Sequence, residues 1–140
     1  MIRICENYAV AAFRHLSDGE LLLEHNRKNN AICHLAFSAE CSLKALWKQI
    51  IELDFNSTNL KTLKSHDGEQ LQQWLVDYCN WCGVLDPRIA LLSAFNTIPP
   101  VLFSHHPDRR YFLDQDYQDS EIDDVLQYVH QLSACILELV

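Results

Sequence analysis

The sequence predicts an all-α fold, an up-and-down bundle of four to five helices in one domain over residues 1–140. Three observations carry this. Apolar residues recur at three- and four-residue spacing along several long stretches. Only 3 Gly and 4 Pro occur in 140 residues, too few turn formers for a chain of short strands. No linker-like composition shift, internal repeat or low-complexity tract divides the chain, and its length suits a single hydrophobic core.

The first helix is expected over roughly residues 3–26, with Cys5, Tyr8, Ala12, Leu16 and Leu23 on one side. Ser17 and Glu20 have the spacing of a capping box, which predicts a break or kink near Gly19. The second helix is expected from about Asn30 to Leu53. One stripe holds Ile32, Leu35, Ala36, Ala39, Leu43, Leu46 and Ile50; a second holds Cys33, Phe37, Trp47 and Ile51. A helix apolar on two stripes needs cover on two sides, so this is the central helix. Its remaining face, His34, Ser38, Ser42 and Gln49, is polar.

A polar connection (residues 54–66) leads to a third helix, with Asp67 as N-cap, Leu71, Trp74, Leu75, Tyr78 and Cys82 as its apolar face, and Gly83 as its stop. Pro87 suits the start of a short helix through Phe95. Residues 96–119 read as irregular, since Pro99-Pro100 opposes regular helix. The last helix follows Ser120, its first turn crowded with Glu121, Asp123 and Asp124 where the helix dipole favours acid. Its core stripe is Ile122, Val125, Leu126, Val129, Leu132 and Ile136.

The net charge of −8 weighs against broad nucleic-acid binding, which needs a basic face to meet phosphates. No run approaches the roughly 18 apolar residues of a membrane span, and the first residues lack the pattern of a secretion signal. A cytoplasmic protein is expected. The six cysteines then read as reduced thiols rather than a disulfide framework, with Cys5, Cys33, Cys41 and Cys135 at core positions.

Against this background Glu40 and Lys44 stand out. They fall on the second apolar stripe of the central helix, between Phe37 and Trp47. Glu followed by Lys at i, i+4 is a favourable pair on an exposed surface. Buried, an ion pair needs further hydrogen bonds. Two arrangements are open: the two pair with each other at the bundle edge, or Glu40 receives Arg109 or Arg110, whose guanidinium suits a carboxylate.

The segment Ala39-Glu40-Cys41-Ser42-Leu43-Lys44-Ala45, then His66-Asp67 opening a helix, then Arg110-Tyr111 before the last helix, resembles the small bacterial HEPN-like helical proteins. The resemblance runs in order along nearly the whole chain. It implies a bundle that often dimerises. Many HEPN domains are ribonucleases, frequently toxins or defence effectors, some encoded beside a nucleotidyltransferase-like partner; others lack the catalytic residues and act as binding domains.

Catalytic members resemble one another in an Arg followed four to six residues later by His, near the last helix. Here Arg109 and Arg110 fall in the expected region, but Asp114 to Asp116 occupy the place of the His, and the next one is His130. Arg27 and His34 have a similar spacing at the wrong place in the fold. The departure argues against metal-independent RNA cleavage, which needs a base near the 2′-hydroxyl and a cation beside the phosphate.

Other clusters are weaker. Cys79 and Cys82 form a Cys-x-x-Cys pair without a thioredoxin-like setting or two further zinc ligands, so Cys82 is expected in the core and Cys79 at its edge. His105 to Tyr111 read either as a solvated loop or as an anion or nucleotide pocket, with Arg109 and Arg110 on phosphate and Tyr111 stacking a ring. Asp114, Asp116, Asp119 and Glu121 lack the glycine of a calcium loop. His66 is expected to cap or pack at the third helix.

The leading expectation is a non-catalytic binding or interaction module in a stress, defence or toxin–antitoxin context, homodimeric, taking RNA, a nucleotide or a protein partner. It has no cofactor and no metal, and its ligand residues are Arg109, Arg110, Tyr111, His106, Glu40 and Lys44. A second expectation is a divergent ribonuclease using Arg110 with His66 or His106 at the dimer interface. A third is a structural partner that masks another protein, which predicts a large exposed apolar patch.

Overall fold

The computed structural model describes residues 7–54, 64–94, 98–111 and 116–137, and the side chains within them except 52–54, 93, 94, 110, 111 and 137. The described residues are all-helical, with no strand: α1 (Tyr8–Glu24), α2 (Lys28–Asp54), α3 (Gly68–Cys82), α4 (Pro87–Ala94), α5 (Pro100–Phe103) and α6 (Asp119–Leu137), with a 3₁₀ turn at Asp108–Tyr111. None of the helices among the described residues is long and apolar enough to cross a membrane.

The central position of α2 follows from its sequence. It packs against α1, α3, α5 and α6, and its two apolar stripes are buried almost throughout, from Ile32 to Ile51. Its polar face is covered only in part, since His34 and Gln49 are half-buried. Ser38 and Ser42 are fully covered, and Ser38 Oγ donates to the Ala12 carbonyl of α1 at 2.7 Å. Small side chains let the two helices approach closely, and the hydroxyl of Ser38 finds an acceptor in the facing backbone.

The expected break near Gly19 does not occur: α1 is continuous from Tyr8 to Glu24. Gly19 is there for closeness, since a Cβ on it would lie 2.9 Å from Leu35 Cδ2. The N-cap of α1 is Asn7, whose side chain accepts from the Val10 amide. Cys5 lies outside the described residues.

In α3 the predicted caps are present. Asp67 Oδ1 accepts from the Gln70 amide at 3.1 Å, and Gly83 takes φ 68°, a left-handed conformation that glycine adopts without Cβ strain. The predicted face is displaced. The buried residues are Leu71, Leu75 and Cys79, while Trp74 and Cys82 are exposed. Cys82 was expected in the core and Cys79 at the edge; the order is reversed, because the i, i+4, i+8 row that meets α2 runs through Cys79. Trp47 Nε1 pins the helix by donating to the Leu71 carbonyl at 2.9 Å.

The segment after α4 holds more helix than expected. Pro100 starts one helical turn, as the first position tolerates the missing N–H. The last helix starts at Asp119, and Gln118 N donates to Glu121 Oε1 at 3.0 Å. The predicted stripe of α6 is buried, with Leu126 partly so, and Tyr128 is buried beside it.

Candidate functional site

Glu40 sits midway along α2 with only 4% of its surface exposed, and Lys44 is similarly buried. Lys44 Nζ donates to Glu40 Oε2 at 2.9 Å. The expected i, i+4 pair therefore forms, but inside the protein rather than at the bundle edge. The other carboxylate oxygen, Oε1, takes two imidazoles: His106 Nε2 at 2.7 Å and His66 Nδ1 at 2.9 Å. Three donors from three segments thus satisfy one buried carboxylate, the condition under which a buried charge is tolerable.

Burial raises the pKa of the Glu40 carboxyl, but hydrogen bonds from His106, Lys44 and His66 outweigh it and hold the group at about 2. Glu40 is a carboxylate at neutral pH and has no proton to give. The hydrogens in both imidazole contacts therefore lie on the rings, at His66 Nδ1 and His106 Nε2. Neighbouring Cys41 is a poor nucleophile, because burial and the Glu40 charge push its thiol up to about 11.

The two histidines differ in access. The His106 side chain is 2% exposed, while that of His66 is 51% exposed. Phe37 meets the His106 ring edge-on at 4.4 Å between centroids. His15 also stacks on Phe37, at 5.5 Å, and its Nδ1 lies 3.1 Å from His34 Nδ1. Burial lowers the pKa of His15, and His34 adds to the effect. Of the Arg27 and His34 pair, His34 is engaged with His15, and Arg27 immediately precedes α2, its carbonyl accepting from the Ala31 amide.

Over His66 and His106 opens a cleft of about 340 Å³, lined also by Asp67, Glu69, Phe103 and Ser104. Its lining is acidic rather than basic. One lining residue, Phe103, is closely packed on Gly68: a Cβ there would fall 2.0 Å from its ring.

Arg109 does not meet Glu40 as one expectation had it. Arg109 is 1% exposed. Its guanidinium donates to the carbonyls of Val101 and Leu102 at the end of α5 and to Ser104 Oγ at 3.3 Å, and it lies 5.9 Å from the centroid of the Tyr117 ring. It holds the α5 turn in place and is not among the residues that line the cleft. Of Arg110 and Tyr111 the backbone lies in the 3₁₀ turn, and their side chains fall outside those described.

Of the predicted site residues, the structure brings together Glu40, Lys44, His66 and His106. Sequence reading named each of these but did not join them. It also missed the cleft residues Asp67, Glu69 and Ser104. The signal that joins the group is the buried carboxylate itself: Glu40 on a doubly covered helix demands donors, and His106, three positions before Arg109, supplies the closest one.

Comparison with known proteins returns no matching family model, no matching curated protein and no matching solved structure.

Proposed function

We propose that this chain is a HEPN-like helical binding module whose ligand seat is the cleft over Glu40, His66 and His106. One observation carries the reading: two imidazoles that line a solvent-reaching cleft converge on one oxygen of a buried carboxylate behind them. Keeping a charge under cover has a desolvation cost that an apolar residue of similar shape avoids. A site that presents oriented polar groups to a ligand gives that cost a use. The family resemblance supplies the setting of stress, defence or toxin–antitoxin function, with a homodimer and a nucleotidyltransferase-like protein as the expected companions. Trp81 and Leu85, 85% and 98% exposed where α3 leads into α4, support an interaction role for the outer surface.

The divergent ribonuclease is the second reading, favoured by the meeting of His66 and His106, whose ring centroids are 6.1 Å apart. An imidazole oriented by a carboxylate suits general-base work. Opposing it, Asp67 and Glu69 repel phosphate, and Arg109 is committed to backbone carbonyls.

The test is titration of ¹⁵N-labelled protein with nucleoside monophosphates, short oligoribonucleotides and Zn²⁺ in separate series, following the His66 and His106 ring resonances. Binding of at least one probe with the RNA left intact is the expected result. Cleavage in EDTA that disappears in His66→Ala would overturn the binding-only reading in favour of the nuclease. No shift with any probe would reduce the network to a structural pin.

A further inference from the structure

We infer that Glu40, His66 and His106 form a binding site for a divalent transition-metal ion of the zinc class. The inference rests on the reading of this cleft as a ligand seat and names the ligand. Among the described residues, this is the group in which three ligand atoms converge: one carboxylate oxygen and two imidazole nitrogens, all within 4.8 Å of one another.

The donor set decides the class of ion. Two imidazoles and one carboxylate suit zinc and its neighbours, whereas calcium and magnesium prefer all-oxygen shells. Charge leads to the same choice. Lys44 already occupies Glu40 Oε2, so the carboxylate offers a hard cation little net attraction. The binding energy must come from nitrogen donation. With Oε2 held by Lys44, Glu40 is left to ligate through Oε1 alone.

The geometry is close to what an ion requires. Ligand atoms about 2.0–2.1 Å from a tetrahedral zinc lie about 3.3 Å apart. The two hydrogen-bonded separations, 2.7 and 2.9 Å, must therefore open by about half an ångström. His66, half in solvent, is free to make that adjustment. His106 is held by Phe37 and is fixed in advance, as a ligand anchored by its surroundings should be. Three protein ligands leave a fourth position, and the opening of the cleft beside Asp67 and Ser104 gives it access.

Occupation has a defined proton balance. In the empty site the ring hydrogens sit on His66 Nδ1 and His106 Nε2, the atoms that face Glu40. An ion needs the lone pairs of those same atoms. Each neutral ring therefore exchanges tautomer, with its hydrogen moving through solvent to the other nitrogen, His66 Nε2 and His106 Nδ1. No proton is gained or lost by the neutral rings. This exchange distinguishes coordination from an ion held loosely by Asp67 and Glu69, which leaves the tautomers alone.

The other candidates for metal lack a full set. Cys79 is buried and Cys82 exposed, and among the described residues no third ligand joins them. His15 and His34 offer a pair of nitrogens without a carboxylate in the contact.

The experiment is calorimetric titration of the full chain, stripped with EDTA and kept reduced, with Zn²⁺. It is repeated on Cys82→Ser, so that thiol binding is accounted for, and on His66→Ala and His106→Ala. Long-range ¹H–¹⁵N spectra of the rings are recorded before and after. The expected result is one Zn²⁺ per chain and a tautomer exchange at both rings. Affinity should be unchanged in Cys82→Ser and weakened about 100-fold or more in His66→Ala, since even partners one step removed from a metal cost 10- to 100-fold. His66 is half-exposed, so its variant folds even where His106→Ala does not. Stoichiometric Zn²⁺ binding that persists at full strength in His66→Ala, or no binding by the parent chain, overturns the inference. If nucleotides shift the two rings and Zn²⁺ does not, the metal fails and the cleft reading stands; if no probe shifts them, both fail.

Discussion

Glu40→Gln tests the buried network most directly. The native carboxyl is held at about 2 against an ordinary value of 4.5. A depressed pKa is a preference of the folded state for the ionised form, and this fall amounts to about 3 kcal/mol. That stabilisation is fully present above the unfolded value, so it acts at neutral pH. It is lost as pH drops from about 4.5 through about 2, where the folded group finally takes a proton. Glutamine keeps the shape and removes the titration. It also strands the Lys44 ammonium, 6% exposed in its side chain, beside a neutral amide. Removing one member of a buried pair costs about 3–5 kcal/mol. Urea unfolding followed by far-UV circular dichroism across this pH range should show Glu40→Gln less stable by about 3 kcal/mol or more near pH 7. The gap should shrink by about 3 kcal/mol as the pH falls to about 2. The double variant Glu40→Gln/Lys44→Met should recover part of the loss, because no ammonium is left unpaired. A gap that stays constant with pH, or a double variant no better than the single, refutes the argument.

Other outcomes follow from packing and exposure. Gly68→Ala should lower stability by about 1–3 kcal/mol in a thermal melt, since its new methyl must displace the Phe103 ring. Gly83→Ala should cost about 1 kcal/mol through backbone strain alone, because its left-handed φ is disfavoured and nothing lies near the added carbon. Leu75→Ala, at a fully buried position, should cost about 2–5 kcal/mol, whereas Trp81→Lys should stay within about 0.5 kcal/mol of the parent by the same measurement. Alkylation followed by peptide mass spectrometry should label Cys82 ahead of Cys33, Cys41, Cys79 and Cys135, matching its exposure and the raised thiol of Cys41.

What could be read from sequence was what depends on near neighbours. The Asp67 cap, the Gly83 stop and the two stripes of α2 each follow from residues within a turn or two of one another, and each is present. The errors fell where distant packing chooses between local options. Ser17 and Glu20 have capping-box spacing, yet α1 runs whole past Gly19, which lies close against Leu35 of α2. Trp74 and Cys79 both fit an apolar face of α3, and only the direction of approach of α2 selects Cys79. Glu40 was visible as an anomaly, but its partners lie 26 and 66 positions away, and no periodicity relates them. Arg109, one of the partners the sequence offered Glu40, is instead claimed by the α5 carbonyls, which depends on how the chain folds after Pro100.

Those same separations bear on the order in which the molecule is made. The α1–α2 hairpin closes across the three residues His25 to Arg27 and has little chain entropy to overcome. The contact of His106 with Glu40 closes a loop more than twenty times longer. The scaffold is thus the early product of folding and the polar cluster a late one. Substitutions at His66 or His106 should therefore quicken unfolding and leave the refolding rate almost unchanged, while Ala12 or Ser38 variants slow refolding. The cluster is then a region the chain can lose and regain without dismantling its helical frame.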